Sequence, residues 1–220
     1  MSFTADEGRR LAALWERLLA HPFLMETRDG TISDETFSRW IRQDYLFVEH
    51  GLRFLAALLA RAPKRHRGPL GDAINGLRKE IQLFEDQAEG AGVDLVDTRP
   101  AFVTHAYMQF LTATAATASY AEAYTVLYVA ERAYHESWRT VRDGIASQSK
   151  WLPFVDNWAS EDFAEYVAYL QAELDDLAAM GSAEERRRLA EMFELTTRYE
   201  IAFWEMAVSG EVWPGILEEG

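Results

Sequence analysis

Apolar positions recur at steps of three and four along most of this 220-residue chain, and the two-residue alternation of a strand is nearly missing. The spacing predicts helices over roughly 4–20, 33–61, 69–89, 100–116, 119–145, 160–180 and 182–208. Local punctuation supports their ends. Ser33, Ser160 and Ser182 suit N-caps, Pro100 a first helical turn, and Gly90 and Gly181 helix ends. Pro63 and Pro69 bracket a connection over 62–69, and Pro153 interrupts an aromatic segment over 151–158. No internal repeat or long linker stands out. The expectation is an all-α bundle of about seven or eight helices, a single domain over 1–220.

In three of these helices an acid interrupts the apolar stripe. Tyr120, Tyr124, Leu127, Glu131, Tyr134 and Trp138 share one face of the 119–145 helix. Phe37, Ile41, Asp44, Val48, Gly51 and Leu55 share a face of the 33–61 helix, and Leu189, Phe193, Thr196, Glu200, Phe203 and Ala207 a face of the last. An ionised carboxylate there costs on the order of several kcal/mol unless it is paired or hydrogen-bonded. For any one acid a structural ion pair is the plainer reading, since Arg42, Arg53, Arg132 and Arg198 are near in sequence. Bundles, however, build sites from inward side chains on facing helices, so Asp44, Glu131 and Glu200 are expected to converge around one ligand. Carboxylates in a dry site can act as general acid or base, and aromatic walls favour a flat heteroaromatic ligand.

Composition narrows the classes. A net charge of −14 opposes a phosphate backbone, so nucleic acid is not an expected partner. The basic runs are short: Lys64-Arg65-His66-Arg67 is placed in the Pro/Gly-bounded connection, and Glu184 can pair with Arg188 across one turn of Arg186-Arg187-Arg188. No run of about 18 apolar residues predicts a membrane span, and the N-terminus lacks the order of a secretory signal. The absence of cysteine excludes disulfides, thiolate metal sites and a cysteine nucleophile, and it fits a cytoplasmic location. Glu131 and His135 have a metal-like spacing, but no histidine follows His135, whereas a di-iron bundle draws at least two from its helices. His21, before Pro22, reads as a capping or turn histidine rather than a haem ligand. No metal and no cofactor is expected.

Several short motifs, taken in order, resemble the TenA (thiaminase II) family of thiamin-salvage hydrolases. They are His21-Pro22-Phe23 with Asp29-Gly30-Thr31, then Gln43-Asp44-Tyr45, then the segment from Ala130-Glu131-Arg132 through Tyr134-His135 to Trp138, and finally Tyr199-Glu200-Ile201-Ala202-Phe203-Trp204. The resemblance runs over nearly the whole chain and implies a haem-oxygenase-like helical bundle and a homo-oligomer. One branch of the family uses a catalytic cysteine; the other carries a glutamate in that region. With Ala130 at the cysteine position and Glu131 beside it, the chain resembles the glutamate branch.

What the resemblance implies for the site is specific. Asp44 matches the aspartate that holds the aminopyrimidine, Glu200 the acid/base glutamate, and Tyr107 and Tyr134 pocket tyrosines. Phe47 and Trp158 stand where many members have tyrosine, which keeps the aromatic wall and removes two hydroxyls. The implied reaction is hydrolysis of amino- or formylaminomethyl-pyrimidine breakdown products of thiamin, with Glu131 activating or positioning water. Two alternatives stay open. One is a metal-free oxidase resembling pyrroloquinoline-quinone synthase, whose basic, His-rich pocket these acids do not match; the other is a non-catalytic pyrimidine-binding or regulatory protein.

Overall fold

The computed structural model describes residues 2–210 and 213–214. Ten helical segments and no strand lie among the described residues. In chain order they are α1 (Phe3–Arg10), α2 (Ala12–Leu19), α3 (Pro22–Asp29), α4 (Asp34–Arg61), α5 (Lys64–Ala91), α6 (Phe102–Thr117), α7 (Tyr120–Arg142), α8 (Leu152–Trp158), α9 (Glu161–Met180) and α10 (Ala183–Ser209). They fall into two compact units. One holds the described residues up to Ile32 together with Ala118–Ile201, the other Ser33–Thr117 and the described residues from Ala202 on.

The first unit is organised around α7, which packs on α2, α3, α8 and α9. Its residues from Glu122 to Val129 are buried at every consecutive position, as a helix surrounded by others must be. Its start is a capping box. The Ser119 hydroxyl accepts from the Glu122 amide at 3.2 Å, and the Glu122 carboxylate accepts from the Ser119 amide at 2.7 Å. Carboxylates also tie its helices together. Arg10 pairs with Glu194 at 2.7 Å, Asp175 accepts from the Thr4 amide and hydroxyl, and Arg188 reaches Glu122 at 3.4 Å.

In the second unit α4 packs against both α5 and α6. Gly51 of α4 permits a close approach to α5, because a Cβ there would stand 3.2 Å from Leu77 Cδ1. Trp40 is fully buried and meets Phe37, Phe84 and Trp204. Trp204 is therefore a core residue. Trp213, by contrast, is partly exposed, lies against Phe102 and His105, and donates its indole N–H to the Pro100 carbonyl at 3.1 Å. Apart from Trp213 and Pro214, the apolar tail over 212–217 lies outside the described residues.

The long helices stand where periodicity put them, and several finer expectations need correction. The expected 4–20 helix is interrupted at Leu11, and His21 opens a further helix, α3. There the imidazole Nδ1 accepts the Phe23 amide at 3.3 Å, Pro22 takes the first turn, and Gly30 closes it with φ 71°. The 62–69 connection is not a loop: α5 starts at Lys64, so the Lys64-Arg65-His66-Arg67 run is its first turn and Pro69 lies inside the helix. Its C-terminal glycine is Gly92 rather than Gly90, with Val93 N–H bonded to the Ala88 carbonyl at 2.8 Å. Pro153 starts α8 instead of breaking it.

Candidate functional site

The candidates of the second unit lie on α4 and α6. Asp44 is fully buried on the α4 stripe with Phe37, Ile41, Val48 and Leu55. One turn further along, the half-buried Phe47 ring meets Tyr107 of α6 at 4.6 Å and Phe203 at 5.5 Å. Tyr107 belongs to the buried α6 stripe Thr104, Tyr107, Leu111 and Thr114. Gln43 sets the start of α6: its amide nitrogen donates to the Arg99 carbonyl at 3.0 Å, and its oxygen accepts from the Ala101 amide at 2.8 Å. Farther along, His50 Nε2 lies 2.9 Å from Thr112 Oγ1. The two helices thus run in the same direction, with residues 43, 47 and 50 level with 99–101, 107 and 112.

Those of the first unit lie on α7, α8 and α10. Glu131 is half-buried and Tyr134 buried on the α7 stripe. Tyr134 meets Trp158 edge-on at 5.4 Å, and Trp158 is stacked on Trp138 at 5.5 Å and on Phe154 at 6.1 Å. His135 fixes this arrangement. Its Nδ1 donates to the Trp158 carbonyl, the acceptor left at the end of α8, at 2.8 Å, and its ring stacks on Phe163. Glu200 is 1 % exposed on α10, where the neighbouring buried hydroxyls of Thr196 and Thr197 bond back to the Met192 and Phe193 carbonyls.

Three of the four arginines considered as structural partners for the acids, Arg42, Arg132 and Arg198, have other contacts. Arg132 donates to Glu136 at 2.7 Å and lies over the Trp15 ring, whose indole N–H also bonds Glu136. Burial works against the Arg132 charge, yet Glu136 and Tyr128 hold its pKa above the usual value. Burial likewise pushes the Tyr128 phenol up. Arg198 pairs with Glu194, and Arg42 donates to the Asp94 carbonyl. Among the described residues no group of three or more His, Asp and Glu side chains is placed to hold a metal ion. No helix of these residues is long and apolar enough to cross a membrane. A cleft of about 300 Å³ in the first unit, lined by Tyr120, Glu122, Met180, Arg188 and Leu189 among others, includes none of the candidates.

A model of the TENA/THI-4/PQQC family matches residues 9–210. The chain belongs to that family. Two curated relatives are similar to it over most of their length. One is an aminopyrimidine aminohydrolase of Halalkalibacterium halodurans, 27 % identical over 222 residues, covering 97 % of this chain and 98 % of the relative. The other is a probable bifunctional TENA-E protein of Glycine max, 28 % identical over 201 residues and 88 % of each chain. Among solved structures, a TenA homologue from Pyrococcus furiosus superposes with a TM-score of 0.90 at 33 % identity, covering 93 % of this chain and 99 % of that one. A Shewanella denitrificans domain with a heme oxygenase-like fold superposes with a TM-score of 0.76 at 13 % identity, over 94 % and 92 % of the two chains. The expected fold class is therefore the observed one.

Sequence reasoning missed three groups around the family's motif positions. Gln43 stands inside a quoted motif, but the loop it clamps is 56 residues away. The spacing of His135 from Glu131 suggests a metal ligand, whereas in the structure His135 supports Trp158. Thr104 gave no signal, because a threonine on a helical stripe is unremarkable until its hydrogen bonds are known.

Proposed function

We propose that this TenA-family protein is an aminopyrimidine hydrolase of thiamin salvage, of the branch that works with glutamate instead of cysteine. The observation that carries the reading is the likeness to an aminopyrimidine aminohydrolase over nearly the full length of both chains. The complete lack of cysteine and the similarity to a protein named TENA-E support the branch. A cytoplasmic, homo-oligomeric protein organised as one domain belongs to the same reading.

Roles follow from chemistry. Asp44 accepts the amino edge of the pyrimidine, and Phe47, Tyr107, Tyr134 and Trp158 supply apolar contact to the ring. Glu131 takes a proton from water as the water oxygen bonds to the exocyclic methylene carbon. The carbon–nitrogen bond breaks, and Glu200 delivers a proton to the departing amine, which leaves as ammonia. With a formylated amine, water attacks the formyl carbon and formate is the co-product. Phe47 and Trp158 contribute no hydroxyl, so ligand recognition rests more heavily on the acids and on Tyr107 and Tyr134.

Ammonia release from an aminomethylpyrimidine is the direct test. Glu131→Gln and Glu200→Gln are each expected to lower kcat by about 10²–10⁴-fold, the usual contribution of a general acid or base, while Asp44→Asn acts mainly through KM. Full activity in both glutamine variants would remove the assignment. Tight binding of the pyrimidine without turnover by the wild type would favour the non-catalytic alternative, and oxygen consumption with a pyrroloquinoline precursor the oxidase.

A further inference from the structure

Thr104 is fully buried on α6, and its hydroxyl makes no hydrogen bond among the described residues. Thr104 lies in the first turn of α6, where the residue four back, Pro100, precedes the helix and gives its carbonyl to the Trp213 indole, so the back-bond that Thr112, Thr117, Thr196 and Thr197 make is not made here. A buried hydroxyl left unbonded destabilises the protein that carries it, so each case calls for a reason.

Its position supplies one. Thr104 shares the buried α6 stripe with Tyr107, one turn before it. The Gln43 clamp on Arg99 and Ala101 and the contact between Phe47 and Tyr107 bracket it from both sides. Because α4 and α6 run in the same direction, Thr104 stands at the height of the turn that carries Asp44. Ser137 of α7 is also buried with an unbonded hydroxyl, but no such pair of ties sets it level with a candidate acid.

We propose that the Thr104 hydroxyl is a specificity-determining group that donates a hydrogen bond to a ring nitrogen of the ligand whose amino group Asp44 accepts. This rests on the aminopyrimidine reading above and extends it. An aminopyrimidine edge offers an N–H donor beside a ring-nitrogen acceptor, and an ionised carboxylate can answer only the first. A neutral hydroxyl at the same height answers the second. The side chain that weakens the free protein then contributes on binding, which separates it from a merely structural threonine.

Calorimetric titration of wild type, Thr104→Val and Thr104→Ser with an aminomethylpyrimidine, alongside melting of the free proteins, tests this. Thr104→Val is expected to bind about tenfold more weakly, the scale of one lost neutral hydrogen bond, and to melt at the same temperature as wild type or higher. Thr104→Ser should keep wild-type affinity within about twofold, since it keeps the hydroxyl. A pyridine analogue lacking the ring nitrogen should bind wild type and Thr104→Val equally. Equal affinity of wild type and Thr104→Val for the pyrimidine, or a valine variant that melts well below wild type, overturns the role of Thr104 alone. A wild-type protein that takes up no aminopyrimidine overturns this role and the aminopyrimidine reading together.

Discussion

The two units are tied together internally by different chemistry. In the first, side chains that link separate helices end largely on carboxylates: Arg10 on Glu194, Arg188 on Glu122, Trp15 on Glu136, and Thr4 on Asp175. In the second, most of the corresponding links end on peptide groups: Arg39 on the Ala207 carbonyl, Arg42 on that of Asp94, Gln43 on Arg99 and Ala101, and Trp213 on Pro100; Tyr45 on Glu85 and His50 at Thr112 are exceptions. A carboxylate acceptor titrates and its charge is screened by salt, whereas a peptide carbonyl does neither. The Gln43 clamp on the start of α6 should therefore be insensitive to pH, while the packing of α1 against α10 through Arg10 and Glu194 should loosen in acid.

The largest effect is expected at Gln43, which satisfies two peptide groups at once. Gln43→Leu keeps the volume and removes both bonds, and should cost about 2 kcal/mol for the two partners left behind. Chemical denaturation at pH 5 and pH 8 should give the same loss. A loss confined to one pH would contradict the comparison, since neither partner ionises. Because the clamp sets the start of α6, ligand affinity should fall with it.

His135 is an informative exception, a link of the second kind in the first unit. Replacing it with Phe keeps a ring against Phe163 and removes the donor to the Trp158 carbonyl, at an expected cost of about 1 kcal/mol. Hydrogen exchange should show reduced protection at the α8 amides with α1 and α9 unchanged, and raising the salt should not alter the difference. Loss of protection across all the helices packed on α7 would instead mean that the ring's packing matters more than its hydrogen bond.

How far such features were readable in the sequence depends on whether their cause is local. The stripes of α4, α7 and α10 follow from spacing alone, and Asp44 and Glu200 are buried as their neighbours require, while Glu131 is only half-buried. The opening of α3 was also local: His21, Pro22 and Gly30 are an N-cap, a first-turn proline and a left-handed C-terminal glycine. Pro69 misled for the opposite reason. A proline six residues into a helix looks like a boundary, but packing of the 28-residue α5 on α4 outweighs the one backbone donor it lacks. Nothing local marks Leu11 as a break, or tells which hydroxyl of a buried stripe lacks a partner. The clamp from Gln43 and the bond from His135 join segments far apart in sequence, and one chain without its contacts carries no trace of them.

The smallest predicted effect is the one that most directly separates the units. Glu194 accepts from Arg10 and from Arg198, and these bonds hold its carboxyl below the usual glutamate value. A group whose pKa is lowered by folding stabilises the protein above its unfolded value and loses that contribution as pH falls through the folded one. The side chain is 32 % exposed, so solvent screening limits the contribution to roughly 0.5 kcal/mol. Glu194→Gln should therefore be slightly less stable than wild type at pH 7, and the two should become equal as the pH is lowered past the glutamate range. The same titration in about 1 M salt should shrink the difference at neutral pH. A variant whose deficit persists unchanged into acid would mean that Glu194 acts through packing, and the contrast between carboxylate and carbonyl ties would then fail at its most exposed example.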